Sequence, residues 1–167
     1  SLVAQYFEED QYVINKEFKG SALEGLTYKP LFDYAVSEID PSNCFKVLID
    51  DYVSDDSGTG LVHQAPAFGE DDLRVCLASG IPVFDPIDAH GKFKEGMPLI
   101  GGINFKEADK LISRDLKDRG LMFKQQTLQH NYPFCWRTDT PLMYKAISSW
   151  FVSIEKIKQK LLKNAEE

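Results

Sequence analysis

Membrane spans, secretion signals and disulfide frameworks are all missing from this chain. No apolar run approaches the roughly 20 residues needed to cross a bilayer, and no signal-peptide pattern opens the sequence. Cysteine is scarce. Cys44, Cys76 and Cys135 are far apart and odd in number, which excludes a disulfide framework and points to a reducing compartment. Positive charge is short as well: 19 Lys and Arg stand against 26 Asp and Glu, a net charge of -7. Surfaces that grip nucleic-acid backbones are usually basic, so composition argues against an autonomous binder of that kind. Low-complexity tracts and internal repeats are absent too, and disorder is not the expectation.

What is present suits one globular domain. With 167 residues, 43% hydrophobic and 27% charged, the chain is long enough to bury a sizeable core without staples. Residues 2–7 and 11–18 are hydrophobic stretches split by Glu8-Glu9-Asp10 and predict a hairpin. Residues 19–32 contain Gly20, Gly25 and Pro30 and read as an irregular connection, tacked to the core by Leu23, Leu26 and Leu31. Residues 44–53 alternate as a strand with Phe45, Val47 and Ile49 on one face, and residues 121–129 read as another strand. A short helix is predicted over 72–79, with Leu73, Cys76 and Leu77 inward and Gly80 at its end; the two prolines in 81–87 suggest a loop or edge strand. Residues 104–119 predict a longer helix. Asn104 caps it, Glu107 completes a capping box, Phe105, Ala108, Leu111, Ile112 and Leu116 form its apolar stripe, and Gly120 stops it. From Ser149 onward a further amphipathic helix carries Trp150, Ile154, Ile157 and Leu161 on one side, with Lys156, Lys160 and Lys163 mostly elsewhere. The residues alone thus predict a mixed α/β fold.

Chemistry concentrates in Gly58-Thr59-Gly60-Leu61-Val62-His63-Gln64-Ala65-Pro66-Ala67-Phe68-Gly69-Glu70-Asp71-Asp72. Gly58 and Gly60 let main chain approach a ligand. Leu61 and Val62 read as the end of a buried strand, and His63 sits where that strand leaves the core. Gly69 breaks the loop, and three acids follow at a helix start, where carboxylates suit the positive end of the dipole. This order of pieces resembles the editing-site segment of the large class I aminoacyl-tRNA synthetases for branched aliphatic amino acids, the isoleucyl enzymes above all. A second block, His130-Asn131-Tyr132-Pro133-Phe134-Cys135-Trp136-Arg137-Thr138-Asp139-Thr140-Pro141-Leu142 followed by Ser149-Trp150-Phe151-Val152, is similar to that family's exit from the editing insertion. Residues 104–120 resemble it too, and the likeness runs from about Phe18 to Val152.

The resemblance implies a β-barrel-like core with peripheral helices, an editing domain over residues 1–148, and a helix over 149–167 leading toward the synthetic domain. The implied reaction removes misacylated valine from the 3′ acceptor end of tRNA(Ile), within a cytoplasmic, eukaryote-like enzyme. The need is physical: a hydrophobic pocket rejects a ligand one methylene smaller by only ~1–3 kcal/mol, a limit for which these enzymes are themselves the standard illustration. Implied partners are that tRNA end and the rest of the parent synthetase, with no membrane. Neither cofactor nor metal is expected in this domain; ATP and Mg belong to a synthetic domain whose HIGH and KMSKS signatures do not occur here. The chain therefore reads as a piece of a longer enzyme. The family's pocket also uses a threonine-rich segment with no match in this sequence, so one wall of the site is expected to be missing.

Within the motif, Asp72 stands nine positions after His63. On its own it is a first-turn carboxylate serving the dipole. The resemblance assigns it the α-ammonium of the aminoacyl ester, a task suited to a charge-assisted hydrogen bond. Asp71 and Glu70 read as solvated surface. A lone histidine at a strand end is commonly a packed residue; the resemblance instead sets His63 against the amino-acid side chain, limiting pocket size rather than acting as a general base. Gly58, Thr59 and Gly60 would shape the pocket wall. Some family members carry C-x-x-C where this chain has Cys135-Trp136-Arg137-Thr138, half of a four-cysteine zinc site; with threonine in second place, zinc is not expected, and Trp136 and Tyr132 read as packing aromatics. Two rivals stand beside this reading. One is an inactive module that docks the tRNA end or the parent protein. The other is a metal-dependent hydrolase built from His63, Asp71, Asp72, Asp85, Asp88 and His90, weakened by the lack of an i,i+4 ligand pair.

Overall fold

The computed structural model describes residues 3–54, 59–127 and 129–166. Four α-helices occur among them: α1, a single turn at Val3–Tyr6; α2, Glu70–Ala78; α3, Phe105–Asp118; and α4, Ile154–Glu166. Short 3-10 turns lie at Gly20–Leu23, Tyr34–Ser37 and Pro41–Asn43. None of the described helices is long and apolar enough to cross a membrane.

The mixed α/β expectation, with its β-barrel-like core, is overturned. Among the described residues there is no strand and no sheet, only the isolated antiparallel bridges Thr27↔Lys46, Ile87↔Phe93, Lys92↔Asn104 and Phe134↔Pro141. A strand needs a partner along its length, and these segments find one only at points. Residues 44–53 show why. Phe45 takes a positive φ of 56°, which breaks the extended run, so the pairing with residues 25–28 ends after the bonds of Tyr28 N–H to Phe45 O, Val47 N–H to Leu26 O and Gly25 N–H to Val47 O. The predicted hairpin instead begins as the helical turn α1, and residues 11–18 and 121–127 carry no regular structure. Leu26 and Leu31 are about half exposed, so the 19–32 connection is held less firmly than predicted.

Helix ends follow local chemistry closely. Asn104 caps α3 by accepting from the Lys106 N–H at 3.0 Å, although the Glu107 side chain makes no return bond to complete the box. Gly120 closes the helix at φ 68°, with Leu121 N–H bonded to Leu116 O and Gly120 N–H to Lys117 O, the paired bonds of a Schellman ending. α2 ends the same way on Gly80, through Ile81 N–H to Cys76 O and Gly80 N–H to Leu77 O. Its inward face is Val75 and Cys76, while Leu77 is exposed, one position off the predicted stripe.

The core sits between α3 and the loops before it. Met97, Ile100 and Ala108 are buried, with Tyr34, Phe84, Phe93, Ile103 and Ile112 packed against them. α4 has no such cover: Ile154, Ile157, Leu161 and Leu162 are all exposed, and the helix starts five residues later than predicted, leaving Trp150 outside it and fully in solvent. Trp136 is likewise exposed rather than packed, with the Arg137 guanidinium 4.8 Å from its ring centroid. The accessible surface is 14075 Å², against roughly 8,400 Å² for a compact monomer of 19.0 kDa.

Candidate functional site

The site grows from the first turn of α2. Gly69 is the N-cap in extended conformation and offers no side-chain cap, so free N–H groups and the positive end of the dipole face the acids. Asp72 turns its carboxylate back over this end. Its Oδ2 accepts from the Ala65 N–H at 2.9 Å, and its Oδ1 accepts from the Tyr52 hydroxyl at 3.3 Å. Glycine at position 69 is what leaves room: a Cβ there would stand 2.7 Å from Asp72 Oδ2 and 2.9 Å from its Cγ. Asp72 is half-buried.

A polar chain continues from it. Gln64 Nε2 donates to Tyr52 Oη at 3.1 Å, and the Cys76 thiol donates to Gln64 Oε1 at 3.4 Å. Burial pushes the Tyr52 phenol up, opposed by the Gln64 bond and aided by the neighbouring Asp72 charge. Burial, then the same carboxylate, pushes the Cys76 thiol up. Outside this chain, Arg74 on α2 grips Asp50 with two bonds of 2.9 and 3.0 Å and reaches Asp71 at 3.2 Å. The Arg74 hydrogen bonds, followed by the Tyr52 N–H, hold the Asp50 carboxyl below its usual range. Residues 50–52 are thereby clamped to α2, which delivers Tyr52 to Asp72.

The other candidates are placed differently. His63 is exposed and, among the described residues, makes no hydrogen bond. Thr59 donates to Leu61 O at 2.9 Å and accepts from the Leu61 N–H at 3.2 Å. It closes a tight turn in which Gly60 takes φ 76°. Gly58 lies outside the described residues. Thr59 also lines an open apolar groove of about 660 Å³ with Val3, Tyr6, Phe7, Leu121 and Phe123, to which neither His63 nor Asp72 contributes. The sequence carries no mark at Tyr52 and shows Gln64 only as a spacer, while Gly69 reads there as a loop breaker and not as the residue that makes room for Asp72. No local signal marks Tyr52, because its partner is 20 residues away.

The metal-hydrolase set does not assemble. Asp71 is engaged by Arg74 and Asp85 by Lys145 at 3.1 Å, while Asp88 accepts from the N–H groups of His90 and Lys92. Among the described residues no three His, Cys, Asp or Glu side chains converge. At the Cys135 turn, the Thr138 side chain and the neighbouring Arg137 and Thr138 N–H groups lower the thiol.

No family model matches the chain. Curated relatives do. It is 48% identical over 169 residues to the isoleucine–tRNA ligase of Bdellovibrio bacteriovorus, covering all of this chain and 16% of that protein. It is 47% identical to the cytoplasmic isoleucine–tRNA ligase of Mus musculus, over 98% of the chain and 13% of the relative. With the cytoplasmic isoleucine–tRNA ligase of Arabidopsis thaliana it shares 48% identity over 95% of the chain and 14% of the relative. The chain thus spans about a sixth or less of the length of these relatives, and bacterial and eukaryotic proteins match it alike. Over nearly its whole length the chain is homologous to one segment of the isoleucine–tRNA ligases.

Proposed function

We propose that this chain is the proofreading segment of an isoleucine–tRNA ligase, hydrolysing the ester that joins valine wrongly to the 3′ end of tRNA(Ile). The observation that carries the reading is the Asp72 carboxylate, half-buried at the α2 N-terminus beside the loop that follows His63. A carboxylate offers about four acceptor positions. Ala65 and Tyr52 take two of them, which leaves acceptor capacity for the α-ammonium that every aminoacyl ester carries. His63, exposed on the same loop, would set the size limit, admitting valine and turning isoleucine away. Thr59 with Gly58 and Gly60 would form wall. A water would attack the ester carbonyl, expelling the terminal ribose oxygen, which takes up the proton the water releases. Residues 1–148 would constitute the editing unit and 149–167 the lead toward the synthetic part.

The parent protein would ligate isoleucine to tRNA(Ile) with ATP and Mg held elsewhere, and the editing step would draw on no cofactor here. The cytoplasm is the compartment proposed, supported by relatives that bear that word in their names. The test is hydrolysis of valyl- and isoleucyl-tRNA(Ile) by the full-length ligase carrying this segment, with and without Asp72→Ala. Selective loss of valyl-tRNA hydrolysis supports the reading. Unchanged hydrolysis would favour the second reading, an inactive docking module, which draws support from the separation of Thr59 into a groove that Asp72 and His63 do not line.

A further inference from the structure

We infer that Tyr52 is a positioning residue for Asp72, set by a one-way chain of donors that starts at Cys76. The inference rests on the reading above, in which Asp72 receives the ammonium. The direction of the chain follows from proton counting. A phenol has one proton and can also accept. Gln64 Nε2 donates to the Tyr52 oxygen at 3.1 Å, so the Tyr52 proton goes to Asp72 Oδ1 at 3.3 Å. The Gln64 amide is oriented in turn by the Cys76 thiol, whose proton meets Oε1 at 3.4 Å. Flipping that amide would set its NH2 against the thiol and its carbonyl against the phenol, drawing the Tyr52 proton away from Asp72.

Each member is fixed by something else. Cys76 is only 3% exposed on the inner face of α2. Tyr52 follows the Asp50–Arg74 clamp. A phenol and a thiol are ordinarily protonated at neutral pH, as donors must be, and burial pushes both further up. With Ala65 N–H on one oxygen and Tyr52 on the other, Asp72 has a single orientation. Without the hydroxyl it would pivot about the Ala65 bond, and small misplacements of a substrate-holding group are costly in rate.

The experiment is a double-mutant cycle in the full-length ligase, with Tyr52→Phe, Asp72→Ala and the pair, measured by single-turnover hydrolysis of valyl-tRNA(Ile). Tyr52→Phe alone should slow hydrolysis roughly three- to tenfold, the worth of one hydrogen bond. In the Asp72→Ala background the same substitution should change the rate by less than about twofold, because nothing remains to position. Half-saturation by valyl-tRNA should move little, since the bulk of the tRNA does not touch this residue. Cys76→Ala should give a smaller loss with the same background dependence, and Cys76→Ser, which keeps a donor, less of it. Equal losses from Tyr52→Phe in both backgrounds, or none in the parent, overturn the inference. If Asp72→Ala itself leaves hydrolysis intact, the proofreading reading fails; the cycle is then read on unfolding stability, where a coupled Tyr52–Asp72 pair upholds the positioning and an uncoupled pair overturns it.

Discussion

Asp71 and Asp72 are neighbours on one helical turn, yet about 100° of rotation gives them different work. Asp71 points along the surface to Arg74, three residues on, and an exposed pair of this kind contributes little. Asp72 points over the helix end into the Tyr52 and Ala65 bonds. Substituting Asp72 by alanine should therefore cut valyl-tRNA hydrolysis ten- to hundredfold, the loss of ~1.5–3 kcal/mol of charge-assisted bonding, while Asp71→Ala should cost far less. Equal losses would mean that the wrong carboxylate has been assigned. For His63 the expected signature is a change of specificity. An exposed ring acting as a size limit predicts that His63→Ala opens the site to correct isoleucyl-tRNA while valyl-tRNA is still cleaved; parallel loss of both activities would instead mark it as a base. The place of Asp72 in the first turn of a helix was legible in the sequence, because Gly69 and a run of three acids mark a helix start. The donors that hold it were not. Tyr52 meets Asp72, and Gln64 meets Tyr52, only through the fold, and Gly69 matters through a clash that a sequence does not display.

At the scale of elements, helices were readable and strands were not, for one physical reason. A helix satisfies its own backbone groups within a few residues, so its beginning and end are written locally. Asn104 and Gly120 bound α3 as the sequence predicts, and Ala108 in its first turn is completely buried. The two termini give a direct test. Asn104→Ala should cost about 1 kcal/mol of stability through the lost Lys106 N–H acceptor. Gly120→Ala should also cost about 1 kcal/mol, because the new Cβ is forced to a φ of 68° although the space around it is open. Urea unfolding followed by far-ultraviolet circular dichroism measures both; a neutral Gly120→Ala would show that the ending is not held in the left-handed region. Strand prediction lacks such local anchors. Residues 121–127 have the hydrophobic content of a strand, but pairing is a property of two segments, and here Phe123 meets the rings of Tyr6 and Phe7 edge-on or tilted instead of a neighbouring backbone.

Over the whole molecule, composition foretold a sizeable core, but few of the hydrophobic residues reach one. Ala67, Val75, Cys76, Ile87, Met97, Ile100 and Ala108 are the buried hydrophobics described, while Trp150, Phe151, Tyr144 and Trp136 stand in solvent. A hydrophobic fraction counts side chains without saying which of them meet, so this was beyond reach from sequence. Charge, by contrast, is a sum that needs no fold. At -7 the chain repels a phosphate backbone on average, whereas proteins that make six to ten phosphate contacts lose roughly 10³–10⁵ in affinity between 50 and 200 mM salt. The 167-residue chain by itself should bind tRNA(Ile) weakly, and its affinity should fall by less than about tenfold across that salt range. The contacts proposed for it are few and lie at the acyl end, where Asp72 meets an ammonium and not a phosphate. Titration of the isolated chain with uncharged tRNA(Ile) at several salt concentrations gives the slope. Submicromolar binding with a steep slope would reveal a basic phosphate-tracking surface and would move the seat of recognition from the acyl end to the body of the tRNA.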